Sequence, residues 1–140
     1  MKRTASAIWT GDLQKGKGTL STGSGVLSQT QYSFTSRFET GKGTNPEELI
    51  GAAHAGCFTM ALAARLSKAG FVPENLATQA TVTLEQVAGN WTITGVHLDL
   101  TAKVPNVDKT KFEELVQDAK ANCPVSRALK TQITLASKLA

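Results

Sequence analysis

Between residues 44 and 70 the apolar positions crowd together as nowhere else in the chain. Leu49, Ile50, Ala52, Ala53, Ala55, Gly56, Phe58, Met60, Ala61, Leu62, Ala63 and Ala64 go most of the way round a helical wheel before Arg65. The spacing predicts one long helix with both ends marked: Asn45 as N-cap, Pro46 at the first helical position, Glu48 completing a capping-box pattern, and Gly70 as the stop. Apolar residues on so many sides predict a central, buried helix. The small residues from 51 to 56, with His54 among them, argue against a membrane span.

Elsewhere the period is close to two. Residues 3–9, running into Ile8 and Trp9, and residues 19–21 predict an edge strand and a short return strand around a Gly/Lys-rich turn. From 31 to 39, Tyr32, Phe34, Ser36 and Phe38 alternate with polar residues, which predicts a half-buried strand with Arg37 on its polar face. Ala80, Val82 and Leu84 mark another strand, Gly89-Asn90 a hairpin, and residues 91–104 a partner whose apolar phase shifts, which predicts a β-bulge at Gly95. Asp108 caps a second helix with Phe112, Leu115, Val116 and Ala119 on one face; Pro124 then restarts helix and leaves Cys123 at its N-cap. Ile133, Leu135, Ser137 and Leu139 share a face of a last strand.

This order lacks regular βαβ alternation and predicts an α+β fold: an antiparallel sheet, the long central buried helix, and the second helix packed on the sheet. The central helix is apolar on more sides than one sheet can cover, so an obligate oligomer is expected. At 140 residues and 41% apolar content, a single domain over 1–140 is expected. The net charge of +4 is spread along the chain with no basic block, so neither nucleic acid nor membrane is an expected partner. The glycines at 16, 18, 23 and 25 do not open a helix as a phosphate loop does. The amino-terminal residues carry no apolar run of signal-peptide length, which points to the cytoplasm, where two cysteines are more often free, metal-bound or redox-active than a permanent staple.

Candidate chemistry centres on those cysteines. Cys57 sits in mid-helix, where burial alone raises a thiol's pKa, so reactivity there requires a positive partner. Cys123, at a helix N-terminus, has amide groups and the helix dipole favouring its thiolate. They can close a disulfide only if the fold brings their Cα atoms within about 7 Å. His54, one turn before Cys57, leaves open a His-activated thiol or a hydrogen-bonded core histidine; with His97 on a strand, no metal set is complete.

The run Asn45-Pro46-Glu47-Glu48-Leu49-Ile50-Gly51-Ala52-Ala53-His54-Ala55-Gly56-Cys57-Phe58, with Cys123-Pro124-Val125-Ser126, resembles the OsmC/Ohr family of osmotically induced and organic-hydroperoxide-resistance proteins. Trp9-Thr-Gly-Asp, Gly16-Lys-Gly, Gly25-Val-Leu and Gly43-Thr-Asn-Pro-Glu extend the likeness over essentially the whole chain. The resemblance implies a thiol peroxidase of the oxidative and osmotic stress response, built as an intertwined homodimer with its sites at the subunit interface. It implies Cys57 as peroxidatic and Cys123 as resolving cysteine, Arg37 as the activating arginine and Glu47 as its carboxylate partner. An arginine just before the central helix favours the OsmC branch. Hydroperoxides, organic above hydrogen peroxide, are the implied substrates; no cofactor or metal is implied beyond an external dithiol reductant.

Glu47 and Cys57 are ten residues apart on one helix, about 15 Å along its axis, so Glu47 is expected to act on the Cys57 of a second copy whose helix crosses near Ala52. A pocket bordered by Leu49, Ile50, Phe58 and Met60 would favour organic substrates. Two other readings stand beside the peroxidase: a non-enzymatic stress or ligand-binding protein on the same fold, and a Cys-His acyl-transfer enzyme that needs His54 and not Arg37.

Overall fold

Ser33 decides the local structure where periodicity misleads. Its hydroxyl accepts the Ser36 amide (3.2 Å) and its own amide donates to the Ser36 hydroxyl (2.9 Å), a reciprocal capping box. In the structure, a computed structural model describing residues 1–140, this box starts the short helix α1 (Phe34–Phe38). The strand expected over 31–39 is therefore replaced by strand β3 (Thr30–Tyr32) and α1. Phe34 and Phe38 are an i,i+4 helical pair with ring centroids 5.0 Å apart, a spacing that also satisfies a period of two.

The chain divides into two compact units, Met1–Leu49 and Ile50–Ala140. In the first, β1 (Ala5–Thr10), β2 (Lys17–Thr22) and β3 form an antiparallel sheet in that order. Gly18 lies opposite both Trp9 and Tyr32; a Cβ there would fall 2.3 Å from the Tyr32 ring, so only glycine lets the two rings meet at 5.4 Å over the sheet. Helix α2 (Pro46–Lys68) begins as the capping signals predict, with Asn45 Oδ1 accepting the Glu48 amide at 2.8 Å. It ends in a Schellman motif: the Phe71 amide donates to Leu66, the Gly70 amide to Ser67, and Gly70 takes a φ of 87°.

In the second unit β4 (Asn75–Val87) and β5 (Asn90–Lys103) are antiparallel, and β6 (Gln132–Leu139) runs parallel to β5. The fold is α+β, with two three-stranded sheets where one antiparallel sheet is expected, and with one parallel pair. The hairpin turns at Ala88-Gly89, both at positive φ as a type I′ turn requires, one residue earlier than expected. The bulge falls at Thr94, next to Gly95, and it switches the buried side of β5 onto Val96, Leu98, Leu100 and Ala102.

Helix α3 (Lys109–Asn122), N-capped by Asp108, contributes Phe112, Val116 and Ala119 to the same core, and the turn at Cys123 leads into α4 (Pro124–Ala128). Onto this core α2 lays one stripe, His54, Phe58, Leu62 and Leu66, all fully buried. Burial on nearly all sides does not hold within one chain. Ala52, Ala53, Gly56 and Ala64 are exposed, and Met60 is 77% exposed, because a single sheet covers a single stripe. At 23 residues, with an 18-residue window of mean hydropathy 1.4, α2 has the length and composition to cross a membrane; what makes it a core helix is the packed stripe.

Candidate active site

Two clusters carry the chemistry-bearing residues, one in each unit. In the first, α1 presents Arg37 and the first turn of α2 presents Glu47. Asn45 ties the connection down by donating from Nδ2 to the Ser36 carbonyl (3.2 Å), while the Ser36 hydroxyl donates to the Thr44 carbonyl (2.9 Å). The Arg37 Nη2 donates to Glu47 Oε1 at 2.8 Å, and its Nε lies 3.2 and 3.3 Å from the two carboxylate oxygens. This fork geometry fixes the plane of the guanidinium. Glu47 is nearly buried, with 11% side-chain exposure; Arg37 keeps 37%, its Cζ 5.2 Å from the Phe38 ring centroid. The arginine is thus held rigidly and still available to a ligand. Beside it opens a cavity of about 240 Å³ lined by Trp9, Leu13, Tyr32, Ser33, Phe34, Arg37 and Phe38, almost wholly apolar except for the guanidinium.

The other cluster holds both thiols. Cys57 on α2 and Cys123 at the start of α4 are free thiols that lie close enough to act on each other. The fold therefore joins two residues 66 positions apart, which the sequence alone leaves open. Burial pushes the Cys57 thiol up, and its hydrogen bond to Cys123 pushes it further, against a small opposing effect of the Val125 amide. Burial also raises Cys123, but hydrogen bonds from Cys57, from the Ser126 amide and hydroxyl, and from the Val125 amide outweigh it and hold Cys123 below the usual thiol range. None of the groups acting on Cys57 in its own unit is a cation.

His54 pairs with Ser126 rather than with Cys57: Nε2 lies 2.7 Å from the Ser126 hydroxyl, and burial lowers the imidazole's pKa. This removes the geometry that a Cys-His nucleophile requires. Sequence reasoning missed Ser126, whose only local signal is its place three residues after Cys123 at the opening of a helix. It also missed the aromatic cavity; Phe58 lies in the core and Met60 points to solvent, so within one chain the two do not border the same space.

Residues 39–138 match the family model described as OsmC-like protein. The chain is 52% identical to Peroxiredoxin OsmC of Escherichia coli (strain K12) over 95% of its own length and 93% of that protein's. It is 33% identical to an organic hydroperoxide resistance protein of Xanthomonas axonopodis pv. citri over 71% of this chain and 69% of that one. Among solved structures, an OsmC-like protein of unknown function from Vibrio cholerae superposes with a TM-score of 0.78 at 17% identity, covering 99% of both chains. The organic hydroperoxide resistance protein OhrB of Bacillus subtilis superposes with 0.69 at 24% identity over 98% of both. The family model and the 52% identity over nearly the full length place this chain in the OsmC-like family.

Proposed function

We propose that the protein reduces organic hydroperoxides to alcohols at Cys57, resolves the oxidised cysteine with Cys123, and works as a homodimer in which Arg37 and Glu47 of one copy serve Cys57 of the other. That the chain is a peroxidase of stress defence follows from its family and its 52% identity to a peroxiredoxin. The observation that carries the mechanism is the pairing of two free thiols, each acting on the other.

The Cys57 thiolate attacks the terminal peroxide oxygen; the O–O bond breaks, the alkoxide leaves and takes up a proton, and Cys57 becomes a sulfenic acid. The Cys123 sulfur then displaces the sulfenic oxygen as water and the disulfide forms. An external dithiol reopens it by exchange. Cys57 needs a cation to ionise, and Arg37 is oriented for that purpose by Glu47. The apolar cavity beside Arg37 favours an alkyl or aryl hydroperoxide over hydrogen peroxide.

The dimer draws support from α2. Its unbroken course puts Glu47 and Cys57 about 15 Å apart along the axis. Around Ala52 its uncovered face carries the small residues Ala52, Ala53 and Gly56, and a Cβ at Gly56 would meet nothing within 4 Å in its own chain, leaving room for a second helix to approach closely. Two such helices crossing antiparallel near Ala52 bring Glu47 of each toward Cys57 of the other. Because Arg37 is bonded to Glu47 within one chain, it travels with it.

The test is consumption of cumene hydroperoxide and of hydrogen peroxide with dithiothreitol, for the wild type, Cys57→Ser and Cys123→Ser. Faster turnover of the organic substrate, lost with Cys57→Ser, is expected. Turnover no faster than the reductant blank, with Cys57 still a free thiol, would leave a non-enzymatic binding protein.

A further inference from the structure

His54 is fully buried on α2, and the mechanism above gives it no part. Its Nε2 contacts the Ser126 hydroxyl at 2.7 Å, across 72 positions of sequence, while its Nδ1 is buried without any hydrogen-bond partner. A buried polar atom left unpaired is destabilising and calls for a reason. Ser126, itself only 9% exposed, stands three residues after Cys123 in the first turn of α4, where its amide and hydroxyl act on the Cys123 thiol. Histidine and serine are thus hydrogen-bonded to each other, and the serine stands beside a thiol on which it acts.

The direction of that hydrogen bond follows from the unpaired nitrogen. If Nδ1 carried the proton, a buried N–H would lack an acceptor, Nε2 would accept from the Ser126 hydroxyl, and the hydroxyl oxygen could then only accept from a Cys123 thiol. An imidazolium would leave the same N–H stranded. With the proton on Nε2, that nitrogen donates to the serine oxygen, the hydroxyl hydrogen is free for Cys123, and Nδ1 is a bare lone pair. Stranded buried N–H groups are rarer than under-used acceptors, so the Nε2–H tautomer is selected.

We propose that His54 and Ser126 are a positioning pair for the resolving step, with neutral His54 turning the Ser126 hydroxyl into a donor that holds Cys123 as the thiolate attacking Cys57. The inference rests on the peroxidase reading of the two thiols. In the step itself a Cys123 electron pair forms the S–S bond, the S–O bond of the Cys57 sulfenic acid breaks, and hydroxide leaves to become water with the proton that Cys123 has lost. Ser126 and His54 gain and lose nothing; they fix a hydrogen-bond direction. The low position of the Cys123 thiol despite complete burial accords with this.

The test is a single turnover: one equivalent of cumene hydroperoxide without reductant, quenched over time with dimedone and a thiol alkylator and read by mass spectrometry. Ser126→Ala is expected to slow disulfide closure about tenfold or more, as losing one hydrogen bond to a charged acceptor does, so that dimedone-labelled Cys57 accumulates. Oxidation of Cys57 should hold within about twofold, since Ser126 does not act on that step. His54→Leu should behave like Ser126→Ala, and His54→Gln, whose amide N–H can occupy the Nε2–H position, should recover most of the closure rate. Closure at the wild-type rate in Ser126→Ala, equal slowing of both steps, or His54→Gln as slow as His54→Leu would each overturn the pair's role. Wild-type Cys57 that is never oxidised would overturn the peroxidase reading and this inference together.

Discussion

Cys57 and Cys123 touch, yet their surroundings pull them in opposite directions. Cys123 is the more deeply buried, and burial alone makes a thiol inert; amides and a hydroxyl around the start of α4 reverse that and favour its charged form. Cys57 is half-buried in mid-helix, where the amides of its own α2 are already engaged, and its thiol is raised. One chain therefore prepares Cys123, the thiol proposed to resolve, and leaves Cys57, the thiol proposed to attack peroxide, unprepared. What Cys57 lacks is a cation, and the cation that this sequence orients most carefully is Arg37.

The sharpest way to break this contrast is to exchange the thiols one at a time. Cys57→Ser should lower peroxide consumption about a thousandfold or more, as removal of a covalent nucleophile does, while Cys123→Ser should still consume the first equivalent and stop at the Cys57 sulfenic acid. If Cys123 alone sustained turnover, the roles would be reversed. Arg37→Ala should lower kcat/KM about a hundredfold, the scale of a lost charge-stabilising donor, and should move Cys57 alkylation to higher pH; Arg37→Lys should recover only part, since it lacks the fork. Glu47→Gln should act in the same direction by about tenfold, because the guanidinium stays but is held less firmly.

The smallest effect concerns the Cys123 side and is read as stability. Burial depresses the folded pKa of His54 below its ordinary 6.5, so its contribution is fully present above that pH. As the pH falls from 6.5 toward the lower folded value, the unfolded chain takes up the proton first and stability is lost. Denaturant midpoints measured at stepped pH should show this loss in the wild type and not in His54→Gln.

Much of the fold was legible because its signals are local. Asn45, Pro46 and Gly70 bound α2, Asp108 starts α3, and Pro124 restarts helix, each through a backbone preference confined to a few residues. The segment 33–38 was not legible as a helix, since Phe34 and Phe38 fit both periods and the Ser33–Ser36 capping box overrides the alternation. Nor does periodicity give direction, which is why the parallel pairing of β6 went unforeseen. At the candidate site the residue types were visible, and family resemblance supplied the roles proposed for Arg37 and Glu47, whose ion pair the structure contains. The Cys57–Cys123 contact and the His54–Ser126 bond join residues 66 and 72 positions apart and belong to tertiary packing alone.

Mixed dimers test most directly that Arg37 serves the Cys57 of another copy. Arg37→Ala and Cys57→Ser proteins, each impaired alone, are unfolded together, refolded as a mixture and assayed with cumene hydroperoxide. Service across the dimer rebuilds one complete site in each heterodimer, and activity should rise well above the sum of the two parents. Activity that stays at that sum, with heterodimers shown to be present by mass spectrometry, would contradict the account and place the arginine and the thiol it activates in the same chain.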